Sequence, residues 1–261
     1  MDGSNNISTA VFIGSGNVAT HLAEGLYKKG IKILQILSPN KMHAVELSQK
    51  CNAQAITTFD VINRDADLYI FSIPDGEISE VASQMPVVNG LVVHTSGFTD
   101  LNVLDKFEKH GVFYPLQTFS KNRTVDFSTI PFFLEASDEV SLRRLSDLAA
   151  RLSAHVHLMD SNQRKKLHLA AVFVSNFNNY LYLLSEEFLE EEKIDFSFLH
   201  PLIRETANKI MELNPDKAQT GPARRNDKKT IAEHLNMLSD KEELHEFYQL
   251  FSKHILRRYY E

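Results

Sequence analysis

The sequence predicts an α/β fold: a mostly parallel sheet with helices on both faces, followed by an all-helical half. Three observations support this prediction. Short apolar runs alternate with amphipathic stretches over about the first 160 residues, the strand pattern then vanishes, and a glycine-rich turn directly follows the first apolar run. Alternating strands and helices are typical of βαβ units, in which consecutive strands lie parallel.

The predicted elements follow one another regularly along the chain. We expect strands over 10–13, 31–37, 67–73, 90–94, 111–114, 131–135 and 155–159. Helices are expected between most of them, over 18–29, 42–52, 100–109 and 139–152. The second half has the period of amphipathic helices over 163–192, 197–213 and 228–260. We therefore predict a domain boundary near Asp160, which separates residues 1–160 from residues 161–261.

The composition excludes several classes of protein. Hydrophobic residues make up 43% of the 261, which is enough for a buried core, and the formal net charge of -6 argues against a nucleic-acid-binding protein. Cys51 is the only cysteine, which excludes a disulfide framework and a cysteine-built zinc site. The first ten residues resemble no signal peptide, and no apolar run approaches the roughly 20 residues that cross a bilayer. We expect a cytoplasmic protein without membrane contact.

The turn after the first strand is the most specific motif of the chain. Residues 14–19 read G-S-G-N-V-A, a G-x-G-x-x-A between a predicted strand and a predicted helix. Gly14 permits the tight turn, Gly16 lets the backbone approach a pyrophosphate, and the helix N-terminus attracts phosphates. This pattern predicts a Rossmann-type dinucleotide site formed by Gly14, Ser15, Gly16, Asn17 and Val18. A merely structural turn and an S-adenosylmethionine methyltransferase are the alternatives.

The end of the second strand distinguishes the two nicotinamide cofactors. A carboxylate at this point would bind the ribose 2′-hydroxyl of NAD. The chain instead has Ser38, Asn40 and Lys41 here, two small polar groups and a cation that suit a 2′-phosphate. The sequence therefore favours NADP(H) over NAD(H). The alternative is an ordinary Ser-Pro-Asn turn followed by an exposed lysine.

Later strands end in polar residues at the same edge of the sheet, where open α/β sheets bind their ligands. The end of the strand over 67–73 is expected to line another edge of the nucleotide with Ser72, Ile73 and Pro74. Ser96 either faces the nicotinamide or the substrate, or caps its strand in a tight turn. Gln117 and Thr118 are polar among apolar neighbours and predict part of a substrate pocket.

Polar residues also interrupt an otherwise apolar helix in the second half of the chain. At about 100° per residue, His168, Ser175 and Asn179 lie on nearly one stripe, with Asn176 to one side. Buried polar groups need partners or a cavity. We therefore predict that His168 and Asn176 line a pocket, the alternative being that they are hydrogen-bonded core residues.

A Gly-Pro loop before the last helical stretch presents two guanidinium groups. Arg224 and Arg225 are predicted to bind an anionic group of the substrate, since arginine binds carboxylate and phosphate with two hydrogen bonds. Alternatively, Arg225 pairs with Asp227, which caps the following helix. No metal site is predicted, because the spacing of the candidate histidines is not that of metal ligands. These histidines are His155, His157, His234, His245 and His254.

These motifs together resemble a known family. The stretches 14–19, 94–97, 114–119, 160–180 and 220–227 are similar to those of an uncharacterised bacterial family of Rossmann-like NADP oxidoreductase homologues with a C-terminal helical domain of unknown function. That family is related to pyrroline-5-carboxylate reductases, ketopantoate reductases, β-hydroxyacid dehydrogenases and coenzyme F420-dependent NADP oxidoreductases. The resemblance implies an NADP-binding domain over 1–160, and a substrate-binding domain over 161–261 that forms a homodimer.

The resemblance also implies a reaction, with one departure from the relatives. It implies an NADP(H)-dependent oxidoreductase that moves a hydride to or from a small carbonyl, imine or hydroxyacid. If Asn176 is the asparagine of the hydroxyacid dehydrogenases, Val172 stands where they have a catalytic lysine. His168, a hydroxyl such as that of Ser96, or water would then be the acid. The missing lysine keeps a second hypothesis open, a non-catalytic protein that senses NADP(H) or binds a partner.

Overall fold

Eight strands form one sheet in the part of the chain that the computed structural model describes, residues 6–261. They are β1 (Thr9–Ile13), β2 (Lys32–Leu37), β3 (Gln54–Ile56), β4 (Leu68–Phe71), β5 (Leu91–His94), β6 (His110–Pro115), β7 (Phe132–Ala136) and β8 (Val156–Leu158). Their order is β3-β2-β1-β4-β5-β6-β7-β8. All neighbouring strands are parallel except β6 and β7. The predicted fold class is confirmed, and every predicted strand is present.

Helices cover both faces of this sheet. They are α1 (Asn17–Lys28), α2 (Lys41–Cys51), α3 (Ile78–Gln84) and α4 (Glu139–Leu152). Phe12 and its neighbours on one face pack with α1 and α4, whereas Phe71 and its neighbours on the other face pack with α3. Because the strands are buried on both faces, they read as nearly continuous apolar runs.

The structure differs from the sequence predictions in several local elements. The short strand β3 was not predicted, because its three residues after the left-handed Asn52 carry no periodic pattern. The predicted helix over 100–109 is a single 3-10 turn, Leu101–Leu104. Tertiary contacts prevail here: Leu104 and Phe107 are buried in the core, and the Lys106 ammonium donates to the Ser83 and Met85 carbonyls at 2.6 and 2.5 Å.

The strand pattern ends with β8, and the rest of the chain is helical. The helices are α5 (Ser161–Ala171), α6 (Asn178–Glu191), α7 (His200–Glu212), α8 (Pro215–Ala218), α9 (Lys228–Met237) and α10 (Glu242–Tyr260). A π-helical turn, Val172–Phe177, lies in sequence between α5 and α6. The predicted helix over 228–260 is divided into α9 and α10. No helix within residues 6–261 is both long and apolar enough to cross a membrane.

The chain divides into two compact units, whose division in sequence falls between Ser175 and Asn176. The predicted boundary near Asp160 marks the change from strands to helices, and the division into units lies further along the helical stretch. The prediction that the first ten residues form no signal peptide concerns in part residues 1–5, which lie outside the described residues.

Candidate functional site

A cavity of about 530 Å³ opens at the edge of the sheet where β1, β2, β4, β5 and β6 end. Most residues predicted to bind the cofactor line it: Gly14, Ser15, Gly16, Asn17, Val18, Ser38, Ser72, Ile73 and Pro74. Ser96, Gln117 and His168 of the predicted catalytic and substrate residues line it as well. The parallel strands bring these distant segments together because their carboxyl ends share one edge.

Two glycines of the turn after β1 have different physical roles. Gly14 has a φ of +116°, and a Cβ atom there would lie 2.2 Å from the Ser72 carbonyl oxygen. Close approach of β1 and β4 therefore requires glycine at this position. A Cβ atom on Gly16 would meet nothing within 4 Å, since this residue faces open space at the start of α1. Open space over a helix N-terminus fits a pyrophosphate.

Three polar residues around this turn are held by hydrogen bonds. The Ser15 hydroxyl donates to the Ser38 hydroxyl at 2.9 Å, and both residues are buried. The Asn17 side-chain amide donates to the Phe119 carbonyl at 2.9 Å. Asn17 therefore attaches the segment after β6 to the first turn of α1, a contact that the sequence motif did not reveal.

The residues predicted around a 2′-phosphate divide into two groups. Ser38 lines the cavity, whereas Asn40 and Lys41 begin α2 beside it in sequence. The Asn40 side-chain oxygen accepts from the Met42 and His43 amides at 3.0 and 3.3 Å, so Asn40 caps α2, a role that was not predicted from the sequence. Lys41 is exposed at the first position of the helix.

Ser96 occupies a turn in which its hydroxyl already has three hydrogen-bond partners. Its hydroxyl accepts from the Phe98 and Thr99 amides at 3.0 and 2.9 Å and is bonded to the Thr99 hydroxyl at 2.9 Å. A hydroxyl has one donor and two acceptor positions, so these three bonds use it fully. This geometry favours the turn-capping alternative for Ser96, and its catalytic role stays a prediction.

His94 precedes this turn and is entirely buried. Its Nδ1 accepts from the Ser96 amide at 3.2 Å, and its Nε2 lies 3.3 Å from the Asp100 carbonyl. Burial, and to a smaller extent the nearby Arg164 cation, lowers the pKa of His94 to about 3. His94 is thus a neutral residue that shapes the loop after β5.

Tyr114 and His168 form a polar pair in the cavity. The Tyr114 hydroxyl lies 3.1 Å from His168 Nδ1 in a hydrogen bond. Gly97 allows this approach, because a Cβ atom there would lie 2.5 Å from His168 Nδ1. Burial, together with the Asp75 carboxylate, raises the pKa of Tyr114 to about 12 against the opposing effect of Arg164. The phenol therefore keeps its proton at neutral pH.

Sequence reasoning did not include Tyr114 among the site residues. Its position before Pro115, at the end of a buried strand, was the signal in the sequence that could have pointed to a site residue. Gln117 follows three residues after Tyr114, and its side-chain oxygen accepts from the Thr118 amide at 2.8 Å. Thr118 itself does not line the cavity, so of the predicted substrate pair only Gln117 faces it.

Arg164 attaches the start of α5 to the sheet and is fully buried. Its guanidinium donates to Glu135 Oε2 of β7 and to the Thr99 carbonyl, both at 2.5 Å. The Ser161 hydroxyl donates to the same carboxylate at 2.7 Å. His168 lies one helical turn after Arg164 on the same face of α5. The buried ion pair therefore sets where His168 meets Tyr114.

Comparisons with known proteins agree with this geometry. The model of the family described as NADP oxidoreductase, coenzyme F420-dependent, matches residues 9–95, and that of a domain of unknown function, DUF2520, matches residues 130–255. A crystal structure of a candidate NADP oxidoreductase, BF3122 from Bacteroides fragilis, is 43% identical over 97% of this chain and 100% of its own, with a TM-score of 0.90.

The chain belongs to this NADP oxidoreductase family with a C-terminal DUF2520 region. The predicted family is thus confirmed, and NADP(H) is the cofactor of that family. Protein TM1727 from Thermotoga maritima shares the fold at 23% identity, covering 95% of this chain and 99% of its own, with a TM-score of 0.78. An Aspergillus terreus reductive aminase in complex with NADPH and ethyl levulinate shares the fold at 13% identity, covering 97% of this chain and 93% of its own, with a TM-score of 0.70. No curated protein matches the chain.

The DUF2520 match includes the remaining predicted residues. Asn176 is exposed within the π-helical turn. This turn has i→i+5 hydrogen bonds in place of i→i+4, so the stripe expected for His168, Ser175 and Asn179 does not hold its spacing. Here the prediction from an ideal α-helix is wrong. π-helical turns are frequent at functional sites.

The two arginines of the Gly-Pro loop have partners within the second unit. The Arg224 guanidinium lies over the Tyr259 ring, 4.0 Å from its centroid, and is therefore not simply solvated. Asp227 caps α9 by accepting from the Thr230 amide at 3.1 Å. Hydrogen bonds from Thr230, and to a smaller extent the Arg225 charge, hold the pKa of Asp227 below its ordinary value. Among residues 6–261 there is no group of three His, Cys, Asp or Glu side chains that could hold a metal ion.

Proposed function

We propose that this protein is an NADP(H)-dependent oxidoreductase that acts on a small carbonyl, imine or hydroxyacid. One observation carries the proposal: the glycine turn of a nucleotide site and the hydrogen-bonded Tyr114–His168 pair line the same cavity. A turn that were merely structural would need no proton-bearing pair beside it. The family of NADP oxidoreductases supports the same conclusion.

The turn after β1 would hold the cofactor through backbone N–H groups and the positive end of the α1 dipole. The pyrophosphate residues are Gly14, Ser15, Gly16, Asn17 and Val18, and those along the other edge are Ser72, Ile73 and Pro74. Ser38, the start of α2 at Asn40, and the Lys41 cation would surround the 2′-phosphate. When bound, the cofactor supplies or accepts a hydride at its nicotinamide ring.

His168 and Tyr114 would move the proton that accompanies reduction. A hydrogen-bonded phenol and imidazole can pass a proton between them, so that the group nearer the substrate is protonated again by its partner. A positioned acid of this kind accelerates such a step by about 10²–10⁴-fold. Gln117 would orient the substrate, and Arg224 and Arg225 remain the proposed ligands of an anionic substrate group. Asn176, exposed in the π-helical turn, stays a proposed substrate-side residue.

The second unit supports the proposal of a homodimer. It carries large apolar side chains that are exposed in the single chain, among them Phe198, Leu202 and Met211. Exposed apolar surface of this extent marks an association site. We propose that residues of the helical part, 161–261, bind substrate and associate with a second copy. The cytoplasm remains our proposed location on the sequence argument alone.

Calorimetry with NADPH and NADH, followed by NADPH oxidation with a panel of carbonyls and imines, tests the proposed function. We expect NADPH to bind more tightly than NADH, and one class of substrate to be reduced. His168→Ala and Tyr114→Phe should retain NADPH binding and lose reduction. Tight NADPH binding without turnover of any compound would favour the sensing protein instead, and absence of NADPH binding would refute both.

A further inference from the structure

A second cavity of the first unit shares no lining residue with the cavity at the strand ends. It has a volume of about 310 Å³ and lies between α1, the end of α2 and the segment 121–127. Ligand sites for small molecules start at about this size. Its position beside the middle and the end of α1 separates it from the glycine turn, which begins the same helix.

This cavity concentrates positive charge in a protein whose net charge is -6. Lys28, Lys50, Lys121 and Arg123 line it, and Glu24 is the only carboxylate among its lining residues. Glu24 pairs with Lys50 at 3.1 Å. Among residues 6–261, neither Lys28 nor Lys121 nor Arg123 has a carboxylate within the 4.0 Å of an ion pair. Three of the four cations around this cavity thus have no ion-pair partner in the described part of the chain.

We propose that this cavity is a binding site for a small multivalent anion, a diphosphate or a polycarboxylate. Lysine ammonium groups neutralise such an anion as point charges, and the arginine adds a pair of parallel donors. Asn122 and Thr124 line the same cavity with further hydrogen-bonding groups. A cleft lined by one sign of charge also raises the local concentration of the opposite ion.

The segment that carries Lys121 and Arg123 is hydrogen-bonded to α1. The Phe119 carbonyl accepts from the Asn17 side chain at 2.9 Å. The Ser120 carbonyl lies 3.0 Å from His21 Nε2 and accepts from the Arg123 amide, also at 3.0 Å. An anion bound between this segment and Lys28 holds the segment against the helix whose first turn carries Asn17. Anion binding should therefore favour cofactor binding, and by thermodynamic linkage the reverse.

Calorimetric titration of inorganic pyrophosphate and, separately, citrate into the protein tests this site, with and without saturating NADPH. The Lys121→Ala/Arg123→Ala variant should bind the anion at least about tenfold more weakly than the wild type. Lys109→Ala/Lys166→Ala removes the same charge at two exposed lysines outside the cavity and is the matched control. Its affinity for the anion should stay within about twofold of the wild type.

Three outcomes would overturn the proposal. If the two double variants weaken anion binding equally, the binding depends on the overall charge of the protein and not on this cavity. If NADPH displaces pyrophosphate, the anion binds at the glycine turn. If neither anion binds, the site is refuted outright. The NADPH titration is read separately. If NADPH does not bind, the proposed function fails, while the anion arms without NADPH still test this cavity. Circular dichroism of each variant confirms that it is folded.

Discussion

The two compact units differ in how much apolar surface each one buries. The first unit contains three clusters of buried hydrophobic residues on both faces of its sheet. In the second unit the buried hydrophobic residues are Leu184, Ala223, Ile231 and Leu238. Met211, by contrast, is 87% exposed and Phe198 74% exposed. Burial of a large apolar side chain stabilises a fold by about 1.5–3 kcal/mol, so the first unit has an extensive core of its own, whereas the second leaves much of its apolar surface exposed.

This difference suits the proposed division of labour. Cofactor binding needs a rigid edge on which glycines, dipoles and polar groups keep their positions, and a doubly covered sheet supplies it. Three sets of substitutions test the comparison, ordered from the largest expected effect to the smallest, and a change of pH follows them.

Arg164→Met should destabilise the first unit by about 4 kcal/mol, because it leaves the Glu135 carboxylate partly buried without its cation. Urea unfolding measures this loss. Lys165→Met is the matched control: the neighbouring lysine pairs with Asp100 at 2.6 Å near the surface and should cost less than about 1 kcal/mol. Equal losses in the two variants would contradict the role given to the buried pair.

Gly14→Ala should destabilise the first unit by about 3 kcal/mol, since it combines a φ of +116° with a collision of Cβ and the Ser72 carbonyl. Gly16→Ala has open space and should change the unfolding free energy by less than about 1 kcal/mol. The same variant should still weaken NADPH binding, measured by calorimetry. Unchanged NADPH affinity in Gly16→Ala would speak against the pyrophosphate assignment.

The double substitution Phe198→Ser/Met211→Ser tests the proposed association of the second unit with a second copy. If these exposed side chains are buried against a second copy, the change should weaken the dimer by about 2 kcal/mol, or roughly thirtyfold in dissociation constant. Sedimentation equilibrium over a range of protein concentrations measures the constant. Lys217→Ser in the same unit serves as control. A dimer unaffected by the double change would place the interface elsewhere.

Acidification should weaken the first unit through His94. Its pKa is lowered to about 3 in the folded protein from 6.5, so the unfolded chain binds the proton first. The contribution of neutral His94 to the free energy of unfolding is therefore complete above pH 6.5. It falls by about 1.4 kcal/mol per pH unit as the pH decreases from 6.5 towards 3. Urea unfolding between about pH 7 and 4 measures how steeply the unfolding free energy falls with pH, and His94→Gln should make this slope shallower. An identical slope in that variant would exclude His94 as the cause.

The candidate site shows how far local patterns reach. The turn at 14–19 was predictable because a strand, a helix and a positive φ at one glycine are properties of neighbouring residues. Asn40 was ambiguous, because a helix cap and a phosphate ligand use the same residue type. Ser96 was ambiguous too, since only the folded turn shows which groups its hydroxyl bonds.

The sequence by itself determined most of the strands and helices, the glycine turn after β1 and the family, because periodicity and glycine placement act within a few residues. Only the tertiary structure decided which side chains meet. Tyr114 and His168 lie 54 positions apart, and the Arg164–Glu135 pair joins residues 29 positions apart. Their contacts depend on how α5 packs on the sheet. That packing is set by buried hydrogen bonds and charges between distant segments, which no local pattern encodes.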